Sequence, residues 1–508
     1  MELIVERKNA RLYEDYPLPY YELKDPGFTP REKELISLVS KVSLAKPTAS
    51  DLQVLFLKDK EREKFTERVT ALLEMLRPLS GKMLSPEDEP KAYSIVSAFL
   101  KETAPYVQHK EEVIHTIIND LLGLSLLSHL AEDDELEEVM VNGSGKPVFV
   151  FDRLHGICRT NVVFENDEQL EAIIKRMSAF VFREINEDSP LLDARLPDGS
   201  RINATVPPAS PHSPTITIRK FRKRPITITE MIKNNTISSE VAAFLWMCID
   251  GMHVSPMNML IAGGTGSGKT TTLNALTVFI PERERVISIE DTLELNLFNR
   301  ENWVQLESRP GILQKKLDLD DLLKNAIRMR PDRILVGEVR GPEASTMFTA
   351  MDIGHQGLLS TLHANSARET ILRLQSPPMG VPTSMFTLLD LVLMQHRMYW
   401  PRKGLIRRVV QLSEVSVMGE HVLLNDIFSF NREKDVIERT SLPSNILERL
   451  SFLSGLKITD LKDELELRKA VLEKLVKLGV FDYDGIRESV TDYSDNPAKL
   501  AKKLGVPQ

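Results

Sequence analysis

The segment Gly263-Gly264-Thr265-Gly266-Ser267-Gly268-Lys269-Thr270 limits what this chain can become more than any other. It satisfies the P-loop pattern G-x-x-x-x-G-K-[ST]. In that pattern glycines let backbone N–H groups close around phosphate, and a helix N-terminus adds a favourable dipole. The flanks agree with the letters. Residues 257–262 are a short apolar run suited to a buried parallel strand, and Thr271 to Ile280 can continue as a helix until Pro281. Gly263, Gly264, Thr265, Gly266, Ser267, Gly268, Lys269, Thr270 and Thr271 are therefore the expected nucleotide-binding residues. Lys269 is placed to reach the β- and γ-phosphates and Thr270 to hold Mg²⁺. A glycine-rich turn that binds nothing would need neither flank. A second, partial copy, Asn142-Gly143-Ser144-Gly145-Lys146, lacks the preceding glycine and the following hydroxyl. It reads as a tight turn.

At 508 residues the chain is too long for one core and implies about three domains. The formal net charge of −8 supplies no global basic field, which argues against nucleic acid as a partner. The only cysteines, Cys158 and Cys248, cannot form a four-cysteine zinc site, so no zinc is expected; a disulfide framework is equally unsupported, and a reducing compartment fits. The first eight residues lack the apolar core of a signal peptide. Stretches 113–131 and 385–400 are apolar, but polar residues such as Asp120, His129, Asp390 and Arg397 interrupt them. Neither is an unbroken run of about twenty residues. A cytoplasmic protein is expected, with any membrane association made through partners.

The texture changes along the chain. Residues 1–105 are charged and read as a mostly helical extension, with prolines in the first thirty. Residues 106–220 read as a small α+β domain: strands near 139–142 and 147–151, an amphipathic helix from Gln169 to Phe182 with Leu170, Ile173, Ile174 and Met177 on one face, and a hairpin turning at Asp198-Gly199. The basic run Arg219-Lys220-Phe221-Arg222-Lys223-Arg224-Pro225 opens a linker over 221–235. Residues 236–435 alternate strands and helices, the signature of a parallel sheet. Residues 436–508 read as a helical tail, with Leu461, Leu465, Leu472, Leu475 and Val476 on one face and Gly479 placed to end the helix.

Three further motifs follow the P-loop. Strand 285–289 ends in Glu290-Asp291-Thr292-Leu293-Glu294, carboxylates at the strand end where ligands bind in open α/β sheets. One of them can polarise the water that attacks a γ-phosphate. Strand 333–336 ends in Gly337-Glu338, where Glu338 can act on Mg²⁺ or its water and glycine permits close approach of a neighbouring segment. His363 ends the apolar run 358–362 and can donate to a γ-phosphate.

In this order the four motifs resemble the type II/type IV secretion ATPase superfamily, the motors of secretion, type IV pilus assembly, archaeal flagellum and conjugation systems. The matching segments are the Walker A loop at 263–270, the Asp box at 290–294, the glycine-glutamate Walker B at 334–338 and the His box at 354–365. The stretches 326–341 and 357–366 are similar to the family's, and the likeness runs from roughly 106 to 430. It implies a RecA-like P-loop ATPase domain preceded by a PAS-like N-terminal domain, ATP and Mg²⁺ as ligands, and a homohexameric ring. It also implies a polytopic inner-membrane platform protein as partner, pilin-like or secreted proteins as indirect substrates, and peripheral association with the cytoplasmic face of the membrane. By family position Glu294 is the catalytic carboxylate, with Glu290 the second candidate. Arg195, Arg201 and Arg219 resemble the family's source of phosphate-directed arginines. The missing four-cysteine zinc module points to archaeal or conjugation-type relatives, and the N-terminal hundred residues and helical tail resemble archaeal secretion ATPases. A nucleic-acid-translocating ATPase of the same fold is the alternative, and a nucleotide-gated scaffold with negligible turnover is a third reading.

Overall fold

The computed structural model describes residues 2–44, 59–220, 224–309, 317–400 and 404–506. The basic residues 221–223 of the expected linker lie outside them. The chain forms two compact units, Met1–Arg222 and Lys223–Gln508.

In the first unit one sheet joins nine strands: β1 (Glu2–Glu6), β2 (Ala10–Glu14), β3 (Tyr20–Leu23), β4 (Leu136–Val141), β5 (Pro147–Asp152), β6 (Gly156–Val163), β7 (Leu191–Arg195), β8 (Arg201–Thr205) and β9 (Thr215–Arg219). Their order is β1-β2-β3-β6-β5-β4-β9-β8-β7, and every pairing is antiparallel except β3–β6. Buried and exposed residues alternate along β6 and β8, so one face meets the core. The helix Asp167–Phe180 covers that face with Leu170, Ile173, Ile174 and Met177. Its N-cap, Asn166, accepts from the Gln169 backbone N–H.

The helices Pro30–Leu44, Asp59–Leu76, Glu89–Thr103 and Lys110–Leu122 build a separate core around Val39, Leu72, Val96 and Ile117. Glu32, fully buried, joins two of them by accepting from the backbone N–H groups of Gln108 and His109 and from His109 Nδ1 at 3.0 Å. Burial alone would raise its pKa. Hydrogen bonds from His109, Thr29 and Gln108 outweigh burial and hold the carboxyl far below the usual range.

The first thirty residues differ from the helical expectation: they hold strands β1 to β3. Ala10 and Leu12 are buried while Arg11 is exposed, a period of two too short to stand out among charged neighbours. Arg7, just beyond β1, pairs with Asp133 at 3.1 Å and with buried Asp152 at 2.5 Å, which ties this ribbon to the later strands.

The second unit also has a nine-stranded sheet: β10 (Met259–Gly263), β11 (Val286–Glu290), β12 (Trp303–Glu307), β13 (Arg333–Val339), β14 (Leu359–His363), β15 (Leu391–Trp400), β16 (Gly404–Met418), β17 (His421–Asn431) and β18 (Val436–Arg439). The order is β12-β11-β13-β14-β10-β15-β16-β17-β18, parallel from β12 to β15 and antiparallel beyond. β10 and β11 are buried at every residue because both faces are covered. Ile261, Leu335 and Leu393 face one core, and Leu260, Val336 and Val392 face the other. This is the doubly wound α/β sheet that the strand–helix alternation implies.

The tail helices Asn445–Ser454, Ile458–Leu478, Tyr483–Asp495 and Pro497–Leu504 complete the first of those cores. Leu461, Leu465, Leu472 and Leu475 are buried, Val476 is half-buried, and Gly479, at φ +74°, caps the long helix. Residues 436–439 belong to the sheet rather than to the helical tail.

Among the described residues no single helix is long and apolar enough to cross a membrane. Lys110–Leu122 and Leu126–Glu132 form a pair bent by 102°, and Val113, Ile117, Leu127 and Leu130 within it are buried in the protein.

Candidate functional site

The site forms at the C-terminal edge of the parallel strands, where chain reversal leaves a crevice in such sheets. Register places Gly263 of β10 beside both His363 of β14 and Gln395 of β15. Beyond Gly263 the chain turns through Gly266 (φ +69°) and Gly268 (φ +96°), left-handed conformations that favour glycine, and enters the helix Lys269–Leu276. A Cβ at Gly263 would lie 2.2 Å from the Gln395 carbonyl oxygen, so no other residue fits there. Lys269 folds back over the loop, its Nζ donating to the Gly264 carbonyl at 3.3 Å. The Ser267 hydroxyl is buried and, among the described residues, has no hydrogen-bond partner. Thr270, half-buried, stands in the first helical turn. A loop that only glycine can close, with a lysine over it and a hydroxyl at a helix N-terminus, fits a phosphate chain with its Mg²⁺.

The acidic motifs stand on the two strands beyond β14. Glu290 ends β11 almost fully buried, and its Oε2 accepts from the backbone N–H groups of Glu294 at 2.7 Å and Leu295 at 2.9 Å. It braces the loop on which Glu294 is exposed. A Cβ at Gly337 would lie 2.9 Å from Glu290 Cγ, which is the close approach that explains glycine before Glu338. Glu338 is partly exposed and accepts from Arg340 Nη2 at 2.5 Å, and Arg340 Nη1 lies 3.9 Å from Asp291. His363 closes the other side, with Nε2 2.9 Å from Thr265 Oγ1 at the tip of the phosphate loop. The P-loop, Asp box, Walker B strand and His box thus share one edge of one sheet.

Arg195, Arg201 and Arg219 lie in the first unit. They are register partners across β7, β8 and β9, which sets them side by side in one row. Arg201 forks onto Asp193 at 3.1 and 2.9 Å, and Arg195 Nε donates to the Gly199 carbonyl at 3.4 Å.

Sequence reasoning missed the residues that β15 and β16 bring to the loop. Gln395 Oε1 accepts from Thr272 Oγ1 at 2.5 Å across 123 residues, and Arg407 Nε donates to the Gly266 carbonyl at 3.0 Å. In the sequence Arg397 stands out only as a polar interruption of the apolar run 385–400, and Gln395 precedes it by two residues. Their alternation at the end of a strand was the available signal.

The family of type II/IV secretion system proteins matches residues 122–400, more than half of the chain. The chain belongs to this family. An uncharacterized protein of Methanocaldococcus jannaschii, MJ0900, is 35% identical over 391 residues, which cover 75% of this chain and 70% of that one. Another from the same organism, MJ0781, is 47% identical over 259 residues, 50% of this chain but only 35% of the relative's length. The conjugal transfer protein TrbB of Rhizobium radiobacter is 32% identical over 263 residues, 51% of this chain and 76% of its own.

Proposed function

We propose that this secretion-family protein is an ATP-hydrolysing motor, a RecA-like ATPase unit following a PAS-like one. It assembles as a homohexamer at the cytoplasmic face of a membrane and drives secretion or the assembly of pilus-like filaments through a polytopic platform protein. The observation that carries the reading is the convergence of Lys269, Thr270, Glu338 and His363 at one strand edge, with Glu294 on the adjoining loop.

In this reading Lys269 and the loop N–H groups bind the β- and γ-phosphates of ATP, and Thr270 and Glu338 hold Mg²⁺, partly through water. Bound Mg²⁺ neutralises charge on the phosphates. Glu294 polarises the attacking water. Glu290 is spent on bracing the loop by its two backbone hydrogen bonds, which favours Glu294 for the reaction. His363 joins the γ-phosphate to the tip of the loop through Thr265. By the family resemblance, one or more of Arg195, Arg201 and Arg219 would supply positive charge to a γ-phosphate as hydrolysis proceeds.

The test is magnesium-dependent hydrolysis by the purified chain and by Lys269→Ala. Activity retained by the variant sinks the reading. The relationship to a conjugal transfer protein favours nucleic-acid translocation as the second reading, against the net charge of −8. Hydrolysis stimulated by single-stranded DNA would promote it over the first.

A further inference from the structure

One chain segment that touches the phosphate loop belongs to none of the four motifs. It is the antiparallel pair β15–β16. Arg397 and Arg407 are direct cross-strand partners, so their side chains leave the same face of the pair. Arg407 Nε donates to the Gly266 carbonyl at 3.0 Å, and a Cβ on Gly266 would lie only 2.8 Å from Arg397 Nη1. Two residues earlier on this face, buried Gln395 holds Thr272. The opposite face is anchored separately: His396 Nε2 lies 3.1 Å from the Asn365 carbonyl, and Arg408 forks onto Asp435 at 2.8 and 2.9 Å. Both guanidiniums therefore come from a fixed platform rather than from a loose loop.

Peptide geometry gives the Arg407 contact a consequence. In a trans peptide the carbonyl and the following N–H point to opposite sides. Holding the Gly266 carbonyl toward the hairpin turns the Ser267 N–H toward the inside of the loop. There it makes a long bond, 3.3 Å, to the Gly264 carbonyl, the same oxygen that receives Lys269 Nζ at 3.3 Å. The Ser267 N–H is thus held by a bond that an anion can readily replace. Arg397 is exposed, and among the described residues no carboxylate pairs with it. An exposed arginine needs no partner; what matters is where its charge stands, with Nη1 beside Gly266 of the phosphate loop.

We propose that Arg407 is a positioning residue that presets the phosphate loop, and that Arg397 supplies a second cation to the phosphates of ATP from the loop's own subunit. The inference rests on the ATP reading of the site. Binding of fluorescently labelled ATP and ADP to the full-length chain, with Mg²⁺ and at two salt concentrations, tests it alongside steady-state hydrolysis. Arg407→Gln should weaken both nucleotides about tenfold or more, the loss expected for one charge-assisted hydrogen bond. Arg407→Lys should recover little, because an ammonium lacks the fixed planar Nε–H. Arg397→Gln should weaken ATP more than ADP, raise KM with little change in kcat, and flatten the salt dependence of binding. Unchanged nucleotide affinities in both glutamine variants overturn this inference alone. So does a lowered melting temperature of the nucleotide-free protein with the ATP-to-ADP ratio and salt dependence unaltered, since that marks a purely structural hairpin. Failure of the parent chain to bind either nucleotide overturns the proposed function, and this inference with it.

Discussion

The tetrapeptide Gly-Ser-Gly-Lys occurs twice, at 143–146 in the first unit and at 266–269 in the second, and the two copies do opposite things. Both place their glycines at positive φ: +107° and +68° in the first, +69° and +96° in the second. In the first copy the backbone is satisfied internally. Ser144 N–H donates to Ser213 Oγ at 2.9 Å, Gly145 N–H to the Phe164 carbonyl at 2.8 Å, and the Ser144 hydroxyl to Asp167 at 2.7 Å. Pro147 follows and starts strand β5. In the second copy the serine hydroxyl has no partner among the described residues, and Thr270 follows within a helix. The same four residues make a closed turn between antiparallel strands or an open cradle between strand and helix. What flanks them decides which.

The largest effect should separate the two lysines. Lys269→Ala is expected to lower magnesium-dependent ATP hydrolysis by about a hundredfold or more, as loss of a preorganised phosphate contact does. Lys146→Ala should leave it within about twofold. Parallel turnover assays on the two variants check this, and equal losses would erase the distinction between the turns.

Next come the glycines. Gly263→Ala brings a Cβ to 2.2 Å from a backbone oxygen that cannot move aside, and should cost about 3 kcal/mol in the urea unfolding of the second unit. Gly145, at φ +68° with nothing within 4 Å of its Cβ position, should cost only about 1 kcal/mol as alanine, the strain of the left-handed backbone. If Gly263→Ala costs no more than Gly145→Ala, the close approach of β15 carries no weight.

How far these differences can be read from sequence follows from the same residues. The flanks of the second copy are local: a strand before Gly263, a helix after Lys269, and both are visible in the order of residues. Gly337 was legible as a site of close approach, although Glu290, the group approaching it, is set by the pairing of β11 with β13. Gln395, Arg397 and Arg407 were not legible, because parallel pairing of β10 with β15 joins segments more than a hundred residues apart. The strands at 2–23 escaped for a different reason. They are short and charged, and their burial is made by partners far along the chain, β3 pairing with β6.

The smallest effect concerns acid. Asp167 Oδ1 accepts from the hydroxyls of Ser213 at 2.5 Å and Ser144 at 2.7 Å, and these two bonds, Ser213 first, lower its pKa against the opposing effect of burial. A carboxyl whose pKa is lower folded than unfolded binds more protons when unfolded as pH falls. Its contribution is therefore complete above the unfolded value near 4 and is lost as pH drops through the folded value below it. Stability of the first unit should fall over that acid window, and Asp167→Asn should flatten the fall. At neutral pH Ser213→Ala should cost about 2 kcal/mol, because its hydroxyl donates to a charged acceptor and accepts from the Ser144 N–H. Ser267→Ala is the counterpart in the second copy. It removes a buried hydroxyl that has no partner among the described residues, so the nucleotide-free protein should lose no stability and can gain a little. Urea midpoints of Asp167→Asn, Ser213→Ala and Ser267→Ala, measured from pH 7 down to about pH 3, decide the matter. A loss at Ser267 equal to that at Ser213 would mean that the second turn is closed on itself like the first, and not held open for an anion.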